Sequence, residues 1–166
     1  MTPRIASARD MGVLFAANPH RMIGQDGGFS IGLEPDRSLW FFGDTLIGRR
    51  TPGQSLWYID GKPVGPTDMT GRGSIDRMIN NTGLVLHHPA GGASFDDFAY
   101  ITDDRHQLRP LIPLEADEHP DRDRIWCQHG IAIGDDVLLS FIKVRMIDAG
   151  PFPVNFEIVG SGFAVG

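Results

Sequence analysis

The chain has 166 residues, 41% of them hydrophobic and 22% charged, which fits one soluble globular domain with a continuous core and excludes a disordered chain. With 15 basic against 21 acidic residues the net charge is −6, and Arg49–Arg50 is the only adjacent basic pair, so the basic stripe of a nucleic-acid groove is missing. The single cysteine, Cys127, excludes an internal disulfide and any cysteine-based metal knuckle.

The N-terminal segment holds one short apolar patch, Val13 to Ala17, far below the ~18 residues of a spanning helix and in the wrong order for a signal peptide. As written, the chain belongs in the cytoplasm and away from membranes; an exported parent carrying a leader stays open. The 21 Gly and 12 Pro break every candidate helical stripe. What remains is a series of short apolar runs bounded by turns. "GVLFAA" comes first. "GGFSIGL" and "SLWFFGD" then flank the turn "EPDR", and "QSLWYID" ends at Asp60–Gly61. "TGLVLHH" and "FAYITDD" follow, then the hairpin "HGIAIGDDVLLSFIKV". Last comes "FEIVGSGFAVG", read as a strand, a glycine break and a new strand. The fold class expected is all-β, as a single domain over residues 1–166.

Two segments read as long loops: 61–78, rich in Gly and Pro, and 103–124, rich in charge and Pro. Within the second, Glu115 to Asp123 reads as a solvated acidic loop without the spacing of a calcium-binding EF-hand.

Three strands start alike: Gln25-Asp26-Gly27, Asn81-Thr82-Gly83 and Gln128-His129-Gly130 each put a polar pair and a glycine before an apolar run. The glycines are 56 and 47 residues apart, close to the repeat of β-propeller blades. In a propeller the entries to the innermost strands converge, so Asp26, Asn81 (or Asn80) and His129 are expected to face one another at a funnel floor. The hairpin turning near Pro35–Asp36 places residue 26 opposite 44 or 45, which brings Asp26 and Asp44 to one rim. Two carboxyls forced together push their pKa values apart, as a proton donor paired with a base or nucleophile requires. A calcium ion shared by the two would also justify the placement, although no metal-binding motif accompanies them. Trp126, three residues before His129, is the candidate sugar-stacking ring.

The segments "QDGGFSI…LWFFGDTLIG", "MINNTGLVL", "FAYITDD…LIPLE" and "IWCQHGIAIGDDVLLSFIKV…FEIVGSGFAV" together resemble the five-bladed β-propeller glycoside hydrolase-like proteins. That is the group of arabinanases, invertases and levansucrases, with a bacterial branch that includes endo-D-arabinanases. The resemblance spans residues 12–166. It implies an acid at the start of the first innermost strand, matched by Asp26, and a second at the end of the neighbouring strand, matched by Asp44. The group's further acid, from a later blade, has no match in this chain. The implied ligand is carbohydrate, with Asn81, Trp126 and His129 as contacts. Five blades of about 50 residues need about 250, so this chain supplies three at most. The expectation is an incomplete five-bladed propeller, the N-terminal half of a longer one. Closure by self-association through open blade edges and a smaller open β-fold are the alternatives.

Overall fold

Described by the computed structural model are residues 6–12, 14–15, 17–33, 35–55, 58–59, 62–63, 72–88, 95–148 and 155–166. They form twelve strands: β1 (Met22–Gln25), β2 (Phe29–Leu33), β3 (Arg37–Phe42), β4 (Thr45–Arg50), β5 (Tyr58–Ile59), β6 (Lys62–Pro63), β7 (Gly73–Ile79), β8 (Thr82–His87), β9 (Phe98–Tyr100), β10 (Asp123–Ile133), β11 (Asp136–Met146) and β12 (Phe156–Val165). Every pairing is antiparallel, and no helix occurs among the described residues. The all-β expectation holds. The sheet orders are β1-β4-β7, β2-β3-β8-β9 and β10-β11-β12, with a β5-β6 ribbon, and none of these sheets closes on itself.

The first two sheets are halves of one bent sheet. In β2/β3 Phe29 faces Phe41, and in β1/β4 Gln25 faces Thr45, so one register runs through both pairs. It is carried across the gap by the Asp26 N–H donating to the Asp44 carbonyl at 3.2 Å and the Gly43 N–H donating to the Asp26 carbonyl at 2.9 Å. The third strand behaves in the same way: Phe42 faces Thr82 and Thr45 faces Ile79. Three long strands therefore run side by side and all turn along one line, made of Asp26–Gly28, Gly43–Asp44 and Asn80–Asn81. Gly27, at φ 55°, supplies the left-handed backbone that the first strand needs to make this turn.

Alternation along β3 explains why it is central. Leu39 and Phe41 enter a core with Ile31, Cys127 and Leu139, whereas Trp40 and Phe42 enter a second core with Ile79, Leu84, Leu86 and Tyr100. A strand buried on both faces reads as the unbroken apolar run "LWFF". The first of these cores fastens β10–β11 onto the bent sheet.

Several expectations change. "GVLFAA" gives no strand at Leu14 or Phe15; Phe15 instead adopts φ 57° and plugs a ring cluster, its centroid 5.1–6.2 Å from Trp40, Phe42, Phe95 and Phe98 in edge-on contacts. The segment 61–78 is not all loop, because Gly73–Ile79 forms β7 against β4. Residues 64–71, with Trp57 and the Asp60–Gly61 turn, lie outside the described residues. "FEIVGSGFAV" is one continuous strand, since Gly162 leaves room for the Phe141 ring that lies across it and so does not break the ladder. Gly130 lies in the middle of β10 instead of at a strand start.

Buried polar groups stitch the bend. Asn81, fully buried, donates from Nδ2 to the carbonyls of Ile112 (3.0 Å) and Ile125 (3.2 Å), and its Oδ1 accepts the Ile112 N–H at 2.7 Å. It thereby ties the bend to the 108–114 segment and to β10. Alongside, the Gln25 side chain donates to Thr82 at 3.1 Å and accepts from the Tyr100 hydroxyl at 2.9 Å, while Thr45 and Thr82 share a 2.7 Å bond. The acidic loop is anchored too. Asp123, 1% exposed, is bonded by Arg122 and Arg145, and these partners hold its carboxyl down at about 2, while Glu118 pairs with Lys143 at 2.8 Å.

Removing the Asn81 amide takes the partner from the part-buried Ile112 N–H and carbonyl, from the buried Ile125 carbonyl and from the Asn80 Oδ1, groups that are expensive to leave unpaired. Asn81→Ala is expected to lower stability by about 3 kcal/mol in urea unfolding. A change below about 0.5 kcal/mol would mean that water takes over those bonds.

Candidate functional site

Beside the bend lies a cavity of about 480 Å³ between the bent sheet and the β10–β11 hairpin. Its charged groups are Asp26, Asp44 and Arg124, and its apolar walls are Leu46, Met78, Trp126 and Met146. Backbone register alone puts the two aspartates opposite each other, residue 26 against residue 44.

Their surroundings differ. Asp26 keeps much of its surface in solvent, yet its carboxylate lies against the Gly43 backbone; a Cβ at position 43 would overlap it. Crowding by backbone strips water from the group and raises its pKa, opposed in part by a hydrogen bond from the Asp44 backbone. Asp44 is more enclosed, with 21% of its side chain exposed. Desolvation raises its pKa as well. The Trp126 indole N–H, donating to Oδ1 at 3.3 Å, works against this, as does the Arg124 guanidinium with Nε 3.8 Å from Oδ1, while the charge of Asp26 adds to the rise. Trp126 is itself held on edge by Phe156, ring centroids 4.9 Å apart at 83°.

Of the five residues expected at the site, Asp26, Asp44 and Trp126 line this cavity, and Asn81 and His129 do not. The side chain of Asn81 is spent on the backbone bonds that brace the bend. Its neighbour Asn80 accepts from it at 2.7 Å and is buried as well. His129 does share a sheet face with Trp126, because a bulge at Gln128 inserts one residue between them: Trp126 faces Ile142 and His129 faces Ser140. It projects exposed, two ladder steps or roughly 7 Å farther along the strand by the rise of about 3.3 Å per residue. The expected meeting of Asp26, Asn81 and His129 at one funnel floor is not seen.

Arg124 is the cavity residue that sequence reasoning passed over. Arg124 was hidden because the charged run "DRDRIW" read as the tail of a loop, although Arg-x-Trp is the two-residue spacing that puts both side chains on one strand face. As for a cation, the Asp26–Asp44 pair is where one would be drawn, with the Arg124 charge beside it in opposition. Among the described residues no three His, Cys, Asp or Glu side chains converge. Among the same residues no helix is long and apolar enough to cross a membrane.

No family model matches the chain, and no curated protein matches it. Among solved structures it is similar to a "putative hydrolase" from Bacteroides ovatus ATCC 8483, with 13% identity and a TM-score of 0.44 over 84% of this chain. The chain spans 39% of that structure's length. A likeness at this level assigns neither activity nor substrate.

A carboxyl whose folded-state pKa is raised adds stability below its unfolded pKa and loses it as pH climbs through the folded value, so ionised Asp26 is a burden at neutral pH. Asp26→Asn, which keeps an acceptor oxygen, is therefore expected to unfold at higher urea than wild type at pH 7. The gap should close as pH falls below the ordinary carboxyl value of 3.8. Equal midpoints at pH 7 would show that the pair carries no strain.

Proposed function

We propose that the cleft is the active site of a glycoside hydrolase-like protein that cleaves furanosidic, arabinan-type linkages, with Asp26 and Asp44 as its carboxyl pair. The observation that carries this reading is the rim itself: two aspartates set opposite each other by strand register, both pushed upward in pKa, at the end of a cavity with apolar walls. One protonated and one ionised carboxyl supply what glycosidic cleavage needs, a donor to the leaving oxygen and a base or nucleophile facing the anomeric carbon. Carboxyl groups about 5–5.5 Å apart would act with retention and those about 6.5–9.5 Å apart with inversion. Trp126 in the cavity wall gives a sugar ring an apolar surface. The four-stranded meander β2-β3-β8-β9 has the strand count and order of a propeller blade, and supports placing the chain in an incomplete five-bladed propeller.

Asp26→Asn and Asp44→Asn are each expected to lower release of reducing ends from arabinan by on the order of a thousandfold. Wild-type hydrolysis in both would sink the proposal. Trp126, built into the wall and locked by Phe156, favours a second reading, a glycan-binding site without chemistry. That reading expects sugar affinity to survive both Asn substitutions and to vanish in Trp126→Ala.

A further inference from the structure

We propose that Arg124 is a positioning residue that keeps Asp44 ionised and thereby leaves the transferable proton on Asp26. The inference rests on reading these two aspartates as the working pair and adds their division of labour.

Backbone pairing makes the two carboxyls near-equivalents, each opposite the other across one antiparallel pair. Their difference comes from β10. Arg124 projects from that strand with only 12% of its side chain exposed, and its Nε is buried without a hydrogen-bond partner. A buried guanidinium donor left unpaired is unfavourable. Asp44 Oδ1 is 3.8 Å away, and a closure of roughly 1 Å would give it a full charge-assisted bond. Two residues on, and on the same strand face, Trp126 already points its N–H at that same oxygen. Asp44 Oδ1 thus faces two donors, one of them cationic, and negative charge on Asp44 satisfies an orphan that a neutral carboxyl would satisfy less well. Asp26 has a backbone N–H against it and, among the described residues, no cation.

Burial of Asp44 raises its pKa and opposes this order, and the Trp126 and Arg124 donors work against that rise; the other cavity groups facing Asp44 add little. Leu46 from β4, Met78 from β7 and Met146 from β11 carry no charge, which leaves Asp26 as the remaining titratable neighbour in the cavity. On its other side Arg124 borders a second cavity of about 470 Å³, where Asp76, Arg77 and Asp121 contribute charges of both signs.

The chemical consequence is a fixed direction of proton flow. The glycosidic C–O bond breaks, and its oxygen leaves with the Asp26 proton. The electron pair that fills the anomeric carbon comes from Asp44 directly, or from a water that gives its proton to Asp44. In the direct case the Asp44 ester is then hydrolysed by water, whose proton goes to Asp26 and whose hydroxyl goes to the sugar, restoring both groups.

The test is carboxyl carbon NMR titration of the whole chain, with Asp26→Asn and Asp44→Asn used for assignment. In wild type the lower step should belong mainly to Asp44. Arg124→Met should raise the Asp44 step by about one pH unit or more, and Arg124→Lys should hold most of it down. An unchanged Asp44 step in Arg124→Met, with near-ultraviolet circular dichroism intact, would overturn the proposal. A second readout needs only wild-type protein: the Arg124 Nε–H resonance should move downfield as Asp44 ionises, and an Nε–H that ignores that step would overturn it too. Neither titration uses a substrate. Loss of the hydrolase reading alone would appear as the expected titrations without arabinan cleavage, and loss of the Arg124 role alone as cleavage with an unmoved Asp44.

Discussion

The register that runs unbroken through a bend is the constraint on which this molecule depends. Strands 22–33, 37–50 and 73–87 keep their pairing while all three change direction along one line, so residues at the line are fixed relative to one another by backbone bonds alone. Asp26 and Asp44 are opposed for that reason. A slip of one residue would move every side chain to the other face, forcing Leu39 and Phe41 into the space shaped for Trp40 and Phe42 and the reverse, and the close packing of β3 on both faces forbids it. The energy that holds the carboxyls in place is therefore supplied by apolar cores some distance away from them.

Placing two carboxyls together with little water is unfavourable, and the bend shows how that strain is contained. Asn81 and the Gln25–Thr45–Thr82–Tyr100 cluster satisfy the polar groups that the kink would otherwise strand, and they lie directly beneath the pair. The Tyr100 hydroxyl, its pKa pushed up to about 12 mainly by burial, stays a neutral donor across the physiological range. No group in this brace changes charge between pH 5 and 9, so titration in the cavity falls on the carboxyls above it. Separating an uncharged brace from the titrating carboxyls lets one respond to protonation without loosening the other.

Much of this was legible in the sequence because hairpin geometry is local. The turn near Pro35–Asp36 sets which residue faces which, and that arithmetic reaches the Asp26–Asp44 pairing without tertiary knowledge. The long-range parts escaped for equally physical reasons. Asn81 resembled Asp26 in its sequence setting, a polar residue ahead of a glycine and an apolar strand, but a third strand beside the bend is enclosed where the first is open. His129 fitted the same pattern, yet Gly130 marks close packing of β10 onto Leu139 and Ile31 and does not mark a strand entrance. Arg124 was obscured because a charged run before a strand looks alike whether its last arginine points to water or into a cavity. Glycine spacing, taken as a repeat, combined three different uses of glycine: a left-handed turn at 27, tight packing against Ile101 and Leu111 at 83, and tight packing on Leu139 at 130.

The side-chain donors that distinguish Asp44 from Asp26 come from outside the bent sheet. The bent sheet alone would present two carboxyls of similar standing, and a near-symmetric pair is poorly suited to a reaction that needs one acid and one base. β10 belongs to a different sheet and reaches the cavity only because Ile31, Leu39, Phe41, Cys127 and Leu139 press the two sheets together. The odd residues Ile125 and Cys127 enter the core, and this alone turns Arg124 and Trp126 toward Asp44. The donors at the rim are thus set by strand parity in a packed interface, and the same interface decides both how the sheets adhere and which groups face Asp44.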